Sequence, residues 1–241
     1  MRIEDFSSGF DNLLNSYATT ADYGSTDNPV SIELDEYEKS LFLTKAQEEE
    51  VLSLYSGKNA YKEGFEQTEE LRRYLSPLIK EASISPISTT NGNPLGMEST
   101  SKFFTLPQDL WFITYESVAL EEDKCNNKIL EVYPVRQDEY HKIRKNPFRG
   151  ANNRRALRLD LADGVIEIIS KLGIKSYYVR YLRKLKPIIL CNLVDENSID
   201  GYNTPSNSEV HESLHQRILE RAVIMALQSR GYSRNNSNEN R

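Results

Sequence analysis

The feature that most constrains the fold is a change of hydrophobic pattern close to residue 103. Beyond it, short runs rich in aromatic and branched residues follow one another: Phe103–Leu106, Leu110–Tyr115, Ile129–Tyr133, Arg155–Leu161, Val165–Ile169 and Tyr177–Leu182. Runs of this size bounded by Pro107 and Pro134 predict strands, most of them paired antiparallel, with a short helix over Asp138–Lys145.

On either side the signals are helical. After Leu41-Phe42-Leu43, Thr44 and Gln47 have the spacing of a capping box and Glu48, Glu49 and Glu50 would occupy the first turns. Val51, Leu54 and Tyr55 supply an apolar side and Gly57 a stop. Thr68 is placed to cap a second helix carrying Leu71, Tyr74, Leu75, Leu78 and Ile79, with a break at Pro77, where the ring removes a backbone donor. Ser206, Asn207 and Ser208 offer caps for a closing helix over about Glu209–Ser229. The class expected is α+β: N-terminal helices and a C-terminal helix packed with a mostly antiparallel β region. The divisions expected are a flexible arm over 1–33 that opens with a short amphipathic piece, a helical region over 34–82, a β-rich region over 83–191, a loop and helix over 192–230, and a disordered tail over 231–241.

Two cysteines, Cys125 and Cys191, and an acidic start without an apolar run point to a reduced, cytosolic origin. No stretch approaches the roughly 18 apolar residues of a membrane helix, so no membrane partner is expected. Fourteen tyrosines suit surfaces buried on one side and wet on the other. Charge is unevenly spread. Residues 32–82 hold twelve acids against seven bases, whereas 142–186 hold thirteen bases against Asp160, Asp163 and Glu167. That split suits head-to-tail contact between copies, or contact with a polyanion on one face. The candidate contacts are Arg144, Lys145, Arg149, Arg154 and Arg155 on the basic side, and Glu48, Glu49, Glu69 and Glu70 on the acidic side.

One catalytic pattern occurs: His211-Glu212-Ser213-Leu214-His215 matches H-E-x-x-H on an expected helix. Two histidines four apart can share a helical face and hold zinc while the glutamate activates water, so a zinc-dependent peptidase is the alternative reading. A third ligand would have to be His141 or Glu220, and Glu220 is too near for the usual second-helix arrangement. Phosphate-binding glycine loops and a nucleophile elbow are missing, and Cys125-Asn126-Asn127 reads as a polar turn with no nearby histidine. No catalytic residue, cofactor or metal is expected.

Four segments carry a family resemblance: Leu34–Gln47; Val132-Tyr133-Pro134-Val135 through Asn146-Pro147-Phe148-Arg149; Ile174–Ile189; and Leu214–Val223. Together they resemble the neck proteins of crAss-like bacteriophages, the ring or head-to-tail connector components of the virion. The resemblance implies a non-enzymatic structural protein, made in the host cytoplasm and resident in the virion. It further implies a homo-oligomeric, dodecameric ring joining portal to tail around the DNA exit channel. Partners would be copies of itself, the portal protein, other neck or tail proteins and, without sequence specificity, the genomic DNA.

Overall fold

The computed structural model describes residues 1–20, 33–58, 62–87, 101–121, 129–193 and 197–230. They fall into two compact units, a helical one from residues 1–78 and 185–241 and a sheet unit from 79–184. The arm residues 21–32, the turn at Cys125 and the tail from 231 lie outside the described residues.

The helical unit contains α1 (Ile3–Thr20), α2 (Glu36–Ser56), α3 (Glu69–Leu75) and α5 (His215–Ser229). α1 is longer than the amphipathic piece expected there and is packed. Phe6, Phe10 and Leu14, one helical turn apart, are buried, and the Phe6 ring lies 5.4 Å from that of His215 at the start of α5. Lys39 ties α1 to α2 by ion pairs to Asp11 at 2.8 Å and Glu36 at 3.0 Å.

α2 begins earlier than expected. Asp35 is its cap, accepting from Glu38 N at 2.7 Å while the Glu38 carboxylate accepts from Asp35 N at 3.4 Å. Gly57, at φ 75°, ends it in the left-handed conformation that glycine adopts most easily. Thr44 and Gln47, whose spacing imitates a capping box, are instead buried mid-helix with Ser40. These three bind the backbone of an extended segment, residues 186–190. Ser40 Oγ accepts from Leu190 N at 3.0 Å, Thr44 Oγ1 accepts from Ile188 N at 3.1 Å and donates to Ile188 O at 3.3 Å, and Gln47 Nε2 donates to Lys186 O at 3.0 Å. About four helical residues and about two extended ones advance by a similar length, so every second residue of the segment meets successive turns of α2. Ile189, facing the other way, exchanges both backbone bonds with Ser206 at 3.0 and 3.1 Å.

Thr68 caps α3 by accepting from Leu71 N at 3.3 Å. Pro77 closes a tight turn over Ser76–Leu78. Ile79, expected on the helix, instead opens a strand.

The sheet unit contains β1 (Ile79–Ile84), β2 (Lys102–Thr105), β3 (Leu110–Leu120), β4 (Ile129–Pro134), β5 (Arg155–Asp160), β6 (Val165–Ile169) and β7 (Ile174–Arg183), in the order β1-β7-β3-β4-β5-β6-β2. All pairs are antiparallel except β4 with β5. β1 starts inside the stretch expected to be helical, and its pairing with residues 177–182 of β7 holds it extended. The sheet curls on itself. Phe104 of the edge strand β2 lies 5.5 Å, ring to ring, from Tyr177 of β7, and Ile87, just past the opposite edge strand, donates its N–H to Phe103 O at 2.8 Å. Val118, Leu130, Ala156, Ile166, Ile168 and Val179 fill one face. α4 (Tyr140–Arg144) covers the other, with Tyr140 buried among Leu157, Leu159 and Ile169.

A polar group is built into the first core. Arg158 Nη1 and Tyr177 OH both donate to Glu116 Oε2 at 2.8 Å. Arg158 Nε lies 2.9 Å from Asp160 Oδ1 without its N–H aimed at that oxygen, so this contact is an ion pair and no hydrogen bond. Burial pushes the Glu116 carboxyl up against the opposing pull of Arg158, and pushes the Tyr177 phenol up as well.

Candidate assembly surface

The parallel pair β4/β5 requires a crossover, and residues 135–154 provide it. Its start is pinned to β5, where Val135 N donates to Arg158 O at 2.8 Å and Gln137 Nε2 to Asp160 O at 2.6 Å. After α4 the chain makes a compact turn. Asn146 Oδ1 accepts from Phe148 N at 2.9 Å and Arg149 N at 3.3 Å, and Asn146 O accepts from Gly150 N at 2.8 Å. A Cβ on Gly150 would lie 2.9 Å from Asn146 O, so the turn requires glycine there. A second tight turn follows, with Asn152 Oδ1 accepting from Arg154 N at 2.8 Å, and delivers the chain to β5.

Four of the five basic candidates are therefore on one crossover and Arg155 opens the strand that follows it, and they differ in circumstance. Arg144, Lys145, Arg149 and Arg154 are exposed. Among the described residues, Lys145, Arg149 and Arg154 have no carboxylate within ion-pair distance of their side chains. Arg155 is half-buried and has a structural role: its guanidinium covers the Tyr133 ring at 4.2 Å and donates from Nη1 to Phe148 O at 3.0 Å. Other members of the basic stretch are engaged elsewhere, Arg158 in the sheet core and Arg180 with Glu81 at 2.7 Å.

The acidic candidates divide likewise. Glu49 faces α5 and binds Arg221, and the buried Glu50 meets Arg217 at 3.4 Å and Arg221 at 3.8 Å. Glu69 pairs with Arg73 at 2.7 Å one turn on, exposed to solvent, and Glu70 accepts from the Tyr74 hydroxyl. Glu48 alone of the four lies on the outward side of α2 with no cation in ion-pair range among the described residues. Partial burial, then the nearby Asp200 carboxylate, pushes its own carboxyl up.

That outward side was not legible as a surface from composition. Glu38, Leu41, Lys45, Glu48 and Leu52 recur at alternating steps of three and four and form one stripe, on which Leu41 and Leu52 are 40% and 39% exposed. The spacing was the available signal.

The H-E-x-x-H residues do not share a helix face. α5 starts at His215, preceded by a single tight turn over Glu212–Leu214, and His211 stands outside it. Its Nδ1 accepts from Ser213 N at 3.3 Å, which caps the turn and stops the helix from extending to residue 209. His215 is buried, with Nε2 3.2 Å from Val210 O and Nδ1 2.9 Å from the Met1 amine. Among the described residues no three His, Cys, Asp or Glu side chains come together to hold a metal ion, and no helix is long and apolar enough to cross a membrane. Cys191 packs with Ile189, Leu193, Ile199 and Tyr37.

The fold and its outward chemistry define a two-unit α+β chain that displays a rigid basic turn on the sheet unit and an acidic, partly apolar helix face on the helical unit. A family profile described as phage tail ring protein 3/4 matches residues 1–238. Ring protein 3 of Bacteroides phage crAss001 is 44% identical over 234 residues, spanning 95% of this chain and 96% of its own. Ring protein 4/5 of the same phage is 30% identical over 235 residues, spanning 94% and 92%. The chain belongs to the phage tail ring protein 3/4 family, as its resemblance to crAss-like phage ring proteins implied.

Proposed function

We propose that this chain is a structural, non-enzymatic ring subunit of the virion, made in the host cytoplasm and assembled in the head-to-tail connector. A single heterologous contact, repeated from copy to copy, closes a dodecameric ring between portal and tail around the DNA exit channel. The observation that carries this reading, beside the family, is the separation of charge onto the two units. Lys145, Arg149 and Arg154 are exposed on the crossover of the sheet unit, and Glu48 is unmatched on the outer side of α2. Charges at such a rim govern encounter and register more than affinity, so apolar contacts must hold the assembly.

The test is the double reversal Lys145→Glu/Arg154→Glu, which spares the structural Arg155. Assembly followed by light scattering should slow and become salt-sensitive while the subunit stays folded. Assembly at the unreversed rate at low salt, where screening is weakest, would remove charge pairing from the account. Rings that form normally but retain less DNA would instead place the basic turn on the channel wall.

A further inference from the structure

The turn over residues 146–150 does something a solvated basic loop has no need to do. It holds an aromatic ring out in water. Phe148 is 85% exposed, the most exposed large apolar side chain among the described residues. Its backbone is nevertheless fixed on both sides. Asn146 Oδ1 takes its N–H, and Arg155, itself laid over Tyr133, donates to its carbonyl oxygen. Gly150 closes the turn at a distance no side chain would permit. Apolar area left in water adds nothing to subunit stability. A ring displayed on an immobile backbone is suited to binding, because little ordering cost remains when a partner arrives.

The surroundings of Phe148 state what the partner must offer. Lys145, Arg149 and Arg154 stand exposed along the same crossover, so the complementary surface is an apolar seat with carboxylates at its edge. The outer stripe of α2 has that composition. Leu52 is exposed there one turn from Glu48, and Asp200 lies close enough to act on the Glu48 carboxyl. Lys45 is the one base on the stripe. Duplex DNA would satisfy the basic residues but offers a phenyl ring only scattered thymine methyl groups in its grooves.

We infer that Phe148 is the anchor of the contact between neighbouring copies: its ring seats against Leu52 on α2 of the next copy, and Arg149 meets Glu48, one turn away, and Asp200. This deepens the ring assignment and rests on it. Aromatic anchors surrounded by a charged rim carry a large share of the binding energy in many interfaces, so one side chain should have a large effect.

The experiment places the photo-cross-linker p-benzoylphenylalanine at position 148 in rings assembled from equal parts of isotopically light and heavy chain. The expected product joins light to heavy chain, with the link in Glu36–Ser56. In parallel, Phe148→Ala should weaken self-association at least about tenfold and leave thermal unfolding of the subunit unchanged. Links confined to one copy, or to DNA, or to a different virion polypeptide, would overturn the assignment. If Lys145→Glu/Arg154→Glu disrupts rings and Phe148→Ala does not, the anchor falls and the ring reading stands. If neither variant alters assembly, the anchor and the charge pairing both fall.

Discussion

Arg221 of α5 holds Glu49 of α2 with two donors, Nε at 3.0 Å and Nη2 at 2.8 Å from the same carboxylate oxygen. A residue that sequence assigns to a neighbouring copy is thus a clasp within its own subunit. Glu49→Gln should lower subunit stability by about 1 kcal/mol, the scale of a partly exposed charged pair, read as a shift of the urea midpoint. Glu48→Gln, one position earlier and outward-facing, should leave the midpoint in place and weaken assembly.

Thr44 makes two bonds to Ile188 across the α2 zipper, one from each of its hydrogen-bonding capacities. Thr44→Val keeps shape and volume while leaving a buried N–H and C=O without that partner. The expected loss is about 2 kcal/mol, measured by chemical denaturation. Valine tolerated without loss would mean that the extended segment is held by packing alone.

In the sheet core, Glu116→Gln removes the charge that faces Arg158 and leaves a buried guanidinium with only Asp160, which is itself largely exposed. Breaking a buried pair from one side costs about 3 kcal/mol, so this variant should lower the melting temperature far more than Glu69→Gln, whose partner Arg73 is in solvent.

His215 gives the subunit a pH dependence of defined sign. Burial first, then the Met1 amine, hold its imidazole below the ordinary value of 6.5, with Glu212 acting in the opposite direction and His211 in the same one. The unfolded chain then binds its proton more readily than the folded chain does. Its contribution to stability is fully present above pH 6.5 and declines as pH falls through the lower folded value. Denaturation midpoints between about pH 5 and 7 should fall with acidity in the parent, and less steeply in His215→Gln. An equal slope in both would assign the effect to other groups.

The strands from β3 to β7 were legible because they are short runs rich in aromatic and branched residues, bounded in part by Pro107 and Pro134, and a local rule suffices to read them. The start of α2 was not, because Thr44 and Gln47 have the local spacing of a cap while their partners, Ile188 and Lys186, are remote in sequence. The division of the acidic run is of the same kind. Glu48, Glu49 and Glu50 are identical in composition and differ by about 100° of rotation each, which sends Glu49 and Glu50 to α5 and leaves Glu48 outside. Arg154 and Arg155 alternate for a similar reason, one exposed and one laid on Tyr133. Sequence reading marked the basic stretch that includes Phe148 as a candidate contact, but did not show that residues 146–150 form a fixed turn. That follows from the side-chain bond of Asn146 and the close approach at Gly150.

The most direct test of the central claim is native mass spectrometry of the purified, assembled chain across a range of concentrations. One heterologous contact repeated to closure predicts a single dominant species at a fixed multiple of the subunit mass, twelvefold, with no accumulation of even-numbered two-fold assemblies. A limiting dimer, or an open series of lengths that grows with concentration, would contradict it.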